Sequence, residues 1–302
     1  MSQNNLENLS DVQVQASSPT AIEGNAGKVY TEVKHQPTLY AEPVLKFKDF
    51  TVTNSLLTSW VVVGLIVIFS VIIRFRISRI PQGFQNYLEV MVDGALKLAD
   101  SVTGNRQSSL KFLPIVFPLF IFILLNNWLG LLPGIGSIGY FANEGGHQIF
   151  IPFFRGGTAD LNTTLALAIL AVIMTHIFGV MTVNFWHHFN RFFGLKYFLE
   201  LPKKIFRDRE YTAILIQPIN FLVGLIELIG ELAKVASLSF RLFGNVFAGE
   251  VLLGAIALIF AYLLPIPFIF LEILVGIIQA LIFAMLTLVF LTVATADHGS
   301  SH

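Results

Sequence analysis

No cysteine occurs anywhere in the 302-residue sequence, which excludes disulfides, thiolate metal sites, iron–sulfur clusters and cysteine nucleophiles. Charge is the next scarcity: Asp, Glu, Lys and Arg make up only 13% of the chain, about half the share of a soluble domain. The 19 basic and 19 acidic residues cancel, so no global field exists to hold nucleic acid, and none is expected as a partner. Also missing are a P-loop, an H-E-x-x-H pair and a G-x-S-x-G elbow. GIGSIG, from Gly134 to Gly139, matches the dinucleotide pattern on paper but follows an apolar run rather than a strand. No cofactor or metal is therefore expected, and the chain is not expected to be an enzyme by itself. Nor do residues 1–54 resemble a signal peptide, being polar with no basic start followed by an apolar run. What is abundant is apolar surface, at 55% of residues, the composition of a membrane protein.

Long charge-free stretches place the membrane, because a span needs roughly 20 apolar residues and a charge in hydrocarbon is expensive. Four such stretches predict spans at about 56–73, 112–132, 161–185 and 268–296. A fifth apolar region, 213–264, is 52 residues long and carries charges. As one helix it would run about 78 Å, far beyond a hydrocarbon thickness of about 30 Å. Glu231 to Asn245 holds no proline and only Gly244 as a breaker, so the region is expected to be one tilted helix. Pro218 should kink or begin it, Pro265 and Pro267 should stop it, and a return helix follows. Phe84, Leu88, Met91, Ala95, Leu98 and Val102 recur at spacings of four and three, predicting an amphipathic helix over 82–103 on the cytoplasmic face.

The expected fold is thus an all-α membrane protein with five membrane elements: three spans and a long two-helix hairpin. It forms a single membrane domain over 55–298, between a poorly ordered 1–54 extension and a 299–302 tail. Six Lys and Arg lie between the first two spans and six between the third span and the hairpin, against one, Arg155, in the 134–160 connection. Retention of basic residues inside then puts the N-terminus outside and the C-terminus inside. The translocated extension would carry four Lys and six acidic residues.

Polar residues in the hairpin are functional candidates because of where they sit. At 100° per residue, Lys234 falls within about 20° of Arg241, and Asn245 and Glu227 within about 40°, so they form one stripe. Glu250, nine residues beyond Arg241, faces the opposite side, while Glu272 and Gln279 share a face of the return helix. Glu231 and Lys234 read as a helix-supporting pair. Arg241 has no acid at i±3 or i±4. An arginine keeps its proton at any accessible pH, so it divides a polar path and cannot relay through it.

The string SLSFRLFGNVFAGE, from Ser237 to Glu250, resembles the signature of subunit a of rotary F-type ATP synthases. FPLFIFILLNNWLGLLPG (Phe117 to Gly134), TADLNTTLALA (Thr158 to Ala168) and IIQALIFAMLTLVFLTVATADH (Ile277 to His298) are similar to family segments in the same order. The resemblance implies that Arg241 is the essential cation facing the carboxylates of a c-subunit ring and separating two offset half-channels. It implies an outer half-channel with Glu250, Glu272, Gln279, Asn245, Asp160 and Asn162, and an inner one with Glu227 and Lys234. Many relatives have one carboxylate and one histidine where this chain has Glu250 and Glu272. If close, the two would share a proton, and His176 is a candidate for the missing imidazole. Implied partners are the c-ring, peripheral-stalk b subunits, membrane lipid and, indirectly, the catalytic F1 sector. The bacterial-type motif points to multi-pass insertion in a prokaryotic inner membrane.

Two alternatives stand beside this expectation: a Na⁺-translocating version of the same subunit, and a self-contained secondary ion transporter. Against the second, no internal repeat or pair of broken helices is present.

Overall fold

Each apolar run folds as a helix opened or closed by a residue suited to that end. The computed structural model describes residues 41–47, 50–78, 83–132, 134–144, 147–183, 213–260 and 263–296. Strands β1 (Pro43–Phe47) and β2 (Phe50–Thr53) pair antiparallel, so the end of the polar extension is a hairpin. Thr53 then caps α1 (Asn54–Arg76), its hydroxyl accepting from the Leu56 amide at 3.3 Å. Helix α2 (Phe84–Thr103) stops at Gly104, whose φ of 66° suits glycine and whose N–H donates to the Asp100 carbonyl. Asn105 immediately caps α3 (Arg106–Leu131), which carries Pro114 and Pro118 in its interior.

This elbow is tied by charge as well. Arg106 Nη1 meets Asp100 Oδ2 at 2.6 Å, and the Ser109 hydroxyl and this guanidinium hold the Asp100 carboxyl below the usual carboxylate range. Lys97 does the same to Asp93. Lowered carboxylates stabilise the fold above their unfolded-state range and cease to do so as pH falls through their folded values.

Strands β3 (Gly139–Glu144) and β4 (His147–Pro152) form a second antiparallel hairpin, joined to the first where the Tyr140 hydroxyl donates to the Pro43 carbonyl at 3.1 Å. Helix α4 (Leu161–Val183) begins at Asp160, whose Oδ1 accepts from the Asn162 amide. The hairpin is α5 (Ala213–Ile259) and α6 (Pro265–Thr295). Helix α5 is continuous for 47 residues, as the lack of breakers predicts, and it begins ahead of Pro218 rather than at it. Among the described residues five helices are long and apolar enough to cross a membrane: α1, α3, α4, α5 and α6. The chain is an all-α membrane protein with two small β hairpins at its connections. The Lys- and Arg-rich connection after the third span, the end of that span beyond 183, residues 1–40 and the tail lie outside the described residues.

The core is built where small residues let helices approach. Ala168 and Ala171 of α4 and Ala280 of α6 are buried with Ile123, Leu238, Leu242 and Phe283. Ala284, Leu288 and Leu291 of α6 continue the seam against Phe112 and Val116 of α3 and Ala99 of α2. Helix α2 packs through Leu96 and Ala99, whereas Phe84 and Leu98 of the predicted stripe are exposed. Its apolar arc is wider than its contact with the bundle.

One connection does not behave as a surface loop. Residues 155–160 are all buried, inserted among α1, α3 and α5. They meet a polar face that the apolar composition of the spans hides: Asn54, Ser55, Thr58 and Ser59 on α1, and Asn126 and Asn127 on α3, all buried. The Arg155 amide donates to Thr58 Oγ1 at 3.2 Å, and Thr158 Oγ1 donates to Asn127 Oδ1. Irregular backbone is tolerated in a protein interior only when its polar groups find partners there, and these side chains supply some of them. Gly157 fits because a Cβ there would strike the Asn126 amide and the Ser59 hydroxyl.

Gly157→Val is therefore expected to cost about 1–3 kcal/mol through overpacking and to lower the thermal unfolding midpoint of the purified protein. Gly64→Ala, where a Cβ meets nothing within 4 Å, serves as the control and should leave the midpoint unchanged or raise it. Equal midpoints for both variants would show that the inserted segment is not tightly packed.

Candidate functional site

The inserted segment, α3, α5 and α6 enclose a cavity of about 190 Å³. Its charged lining consists of Arg155, Glu250 from α5 and Glu272 from α6, with neutral Asn127 and Gln279 beside them. The structure thus brings together three residues that the sequence expected to cooperate, Glu250, Glu272 and Gln279. It adds Arg155, which the sequence reading used only as a topological count. Arg155 is 6% exposed, and its Nε lies 3.0 Å from both Glu250 carboxylate oxygens, with Nη2 2.9 Å from Oε2. A forked donor aligned on a carboxylate is the strong form of ion pair.

Glu272 is held differently. Its carboxylate lies against the backbone of Gly249, in the place a Cβ of that residue would occupy. Among the described residues no donor or cation reaches it. The two glutamates therefore share a cavity without sharing an environment.

A second space, about 270 Å³, lies between α5 and α6 and is lined by Lys234, Ser237, Arg241, Leu286 and Phe290. Lys234 and Arg241 fall on one stripe, as their spacing predicts. Arg241 is exposed, its Nη2 donating to the Ser237 hydroxyl at 3.2 Å, and no described carboxylate pairs with it. Lys234 Nζ donates to Glu231 Oε1 at 2.7 Å, the expected helix-supporting pair, and sits 5.0 Å from the centre of the Phe290 ring. Asn245 and Glu227 are half-buried on the same helix.

Two groups fall elsewhere than the sequence placed them. His176 Nε2 is 3.6 Å from Glu231 Oε2, so it joins the Lys234 end of α5. Glu250 lies 19 residues further along that helix, about 28 Å away, and His176 is not the imidazole partner of the Glu250 and Glu272 cavity. The reason is register: α4 runs alongside α5, and His176 lies near the end of α4 remote from the cavity. Asp160 is buried as the cap of α4, bonded to the amide and the side chain of Asn162, and neither residue lines the cavity; Ala159 does.

Arg155 was legible in one respect. It is the single cation of the 134–160 connection, and Gly156 and Gly157 follow it, the composition of a chain that approaches other backbone closely. The buried Asn126 and Asn127 are likewise visible as adjacent amides inside an apolar span.

Comparison with known proteins shows the family of this chain. Residues 56–292 match the family model of the ATP synthase A chain. The chain is 32% identical over 251 residues to ATP synthase subunit a of Syntrophobacter fumaroxidans, covering 82% of this chain and 87% of that protein. It is 33% identical over 246 residues to the chloroplastic ATP synthase subunit a of Stigeoclonium helveticum, covering 80% and 85%. With subunit a of Campylobacter jejuni subsp. doylei it shares 31% identity over 237 residues, covering 77% and 88%. A match from the first span almost to the end of the last, carrying Arg241 and the cavity carboxylates within it, makes this chain a member of the ATP synthase subunit a family.

Proposed function

We propose that this chain is the stationary proton-conducting subunit of a rotary ATP synthase, passing protons to and from the carboxylates of a c-ring through two half-channels separated by Arg241. The observation that carries this reading is the state of Arg241. It is exposed on α5 and bonded only to Ser237 among the described groups, and it lies between the Glu250 end of the hairpin, with one space, and the Lys234 end, with another that Arg241 itself helps to line. A cation that no described carboxylate of its own chain answers suits one delivered by a partner.

The surface around Arg241 supports the same partner. Ala233, Ser237, Gly244 and Ala248 are exposed and fall within about 80° of Arg241 on one side. Small residues allow the backbone of a neighbouring helix to come close, which brings its carboxylate within reach of the guanidinium.

In this mechanism a proton enters from the outer side through the cavity of Glu250, Glu272 and Gln279, with Asn245 beyond it, and adds to a c-ring carboxylate. The neutral acid can then face lipid as the ring turns. On its return the carboxylate releases the proton toward Glu227, Lys234 and the Glu231–His176 pair. Arg241 favours the ionised form there, because an opposite charge within several ångströms stabilises a carboxylate. The guanidinium cannot itself carry the proton across. Asp160 and Asn162 act in this scheme by fixing the start of α4 beside the cavity. The chain binds no nucleotide, works with peripheral-stalk b subunits and, through them, the F1 sector, and sits in a prokaryotic inner membrane with its N-terminus outside and its C-terminus inside.

Arg241→Ala in the intact complex is expected to abolish ATP-driven acidification of inverted vesicles and to raise passive proton leak through the membrane sector. Wild-type pumping by this variant would return Arg241 to a packing role. The cysteine-free background allows a second test. A cysteine placed at Ala248 should form a disulfide with one placed on the outer helix of subunit c, whereas one at Val61 on α1 should not. Cross-linking from Val61 alone would put the ring on the wrong face.

A further inference from the structure

Two carboxylates in one cavity have different neighbours, and the difference has a chemical consequence. Glu250 is gripped by both arms of the Arg155 fork, while Glu272 rests on Gly249 with no described donor in reach. Arg155 itself is not free to swing. Its amide is fixed on Thr58, and Gly156 and Gly157 are wedged against α3, where a Cβ at either Gly130 or Gly157 would meet backbone or side chain.

We propose that Arg155 divides the labour of the cavity carboxylates: it keeps Glu250 as a fixed anion, and Glu272 alone takes up and hands on the proton. This rests on the half-channel reading above and deepens it. A carboxylate accepting a forked, permanently charged donor has little to gain from protonation. An exchanging group needs the reverse, a carboxylate oxygen open to water and no fixed cation, and the cavity is large enough for several water molecules. The step balances simply: a proton from cavity water adds to a Glu272 oxygen, and the neutral acid later transfers it to the next acceptor, becoming an anion again. Among the described residues the charged and titratable groups facing this cavity are Arg155 from the inserted segment, Glu250 from α5 and Glu272 from α6, while α3 contributes the neutral Asn127. Arg155 is thus a positioning residue. Without Glu250 the guanidinium loses the carboxylate it is forked onto and is left beside Glu272, and without Arg155 the Glu250 anion loses this cation beside Glu272.

The test is reciprocal rescue, measured as ATP-driven pumping in vesicles carrying the intact complex, with subunit content checked for each variant. Arg155→Gln and Glu250→Gln should each lower pumping by about tenfold or more, because one takes the cation from a half-exposed carboxylate and the other takes that carboxylate from a buried guanidinium. Combining them should recover most of that loss, the non-additivity expected of two groups acting as a pair. Glu272→Gln should abolish pumping, and no change at Arg155 should restore it. The dependence of ATP synthesis on outer pH gives a readout that packing alone would not move. It should keep its position in the double variant and move to higher pH in Glu272→His, whose side chain binds protons more tightly than a carboxylate. A double variant as inactive as Glu250→Gln alone would make Glu250 a relay and overturn the proposal, as would active pumping by Glu272→Gln. If Glu272→Gln pumps while Arg241→Ala does not, this assignment falls and the half-channel reading stands. If both pump, the half-channel reading falls as well.

Discussion

Hydrocarbon supplies no partner for a polar group, and that constraint organises this protein from its backbone to its charges. A connection between two spans would ordinarily run over the surface. Residues 155–160 instead enter the bundle, where the spans supply Thr58 for the Arg155 amide and Asn127 for the Thr158 hydroxyl, the Ala159 amide turns back to the Gly156 carbonyl, and the Ser59 and Asn126 side chains close over Gly157. Remove these and the segment would lose the protein partners that hold it there. The segment in turn carries a guanidinium to a depth where a carboxylate must answer it, and Glu250 does.

The long hairpin depends on the same balance. A continuous α5 of 47 residues extends about 70 Å, so it can meet the membrane only at a strong tilt or by extending beyond it. Continuity also fixes phase. Between Arg241 and Glu250 the helix turns about 900°, which sets the two on opposite sides and about 13 Å apart along the axis. Had the helix broken at Gly244, this relation would be lost. The separation of an exposed cation from a carboxylate that lines the cavity is thus a direct product of unbroken helical geometry. Close approach of α6 then completes the cavity, with Gly276 accepting the Asn127 amide through its carbonyl and Gly249 admitting the Glu272 side chain.

Most of this architecture was legible because composition and periodicity are strong signals in a membrane. The charge-free runs gave the spans, the missing breakers gave one helix rather than two, and 100° arithmetic grouped Lys234 with Arg241. Contacts between distant segments were not legible. Nothing in the spacing of Arg155 and Glu250, 95 residues apart, marks them as a pair. His176 could be placed on a span but not at a depth relative to Glu231, since that depends on how α4 is set against α5. Asp160 was read as a polar group at a channel mouth, and its neighbours use it as a helix cap. Short polar side chains serve both ends equally well in sequence, and only the tertiary partner distinguishes them.

The two arginines that matter most show why residue type alone does not assign a role. Both guanidiniums are permanently charged, one in the connection ahead of the third span and the other inside the long hairpin. Arg155 is buried, its amide is anchored, and its charge is consumed within the chain by Glu250. Arg241 is exposed, touches a hydroxyl, and finds no carboxylate among the described residues of its own chain. An internal ion pair of the first kind holds a structure and sets the charge of a cavity. A lone cation of the second kind is costly for the isolated chain, and its cost falls only when another molecule brings an anion to it. The asymmetry between these neighbours, rather than the presence of arginine, is what separates a part of the scaffold from a part of the moving contact.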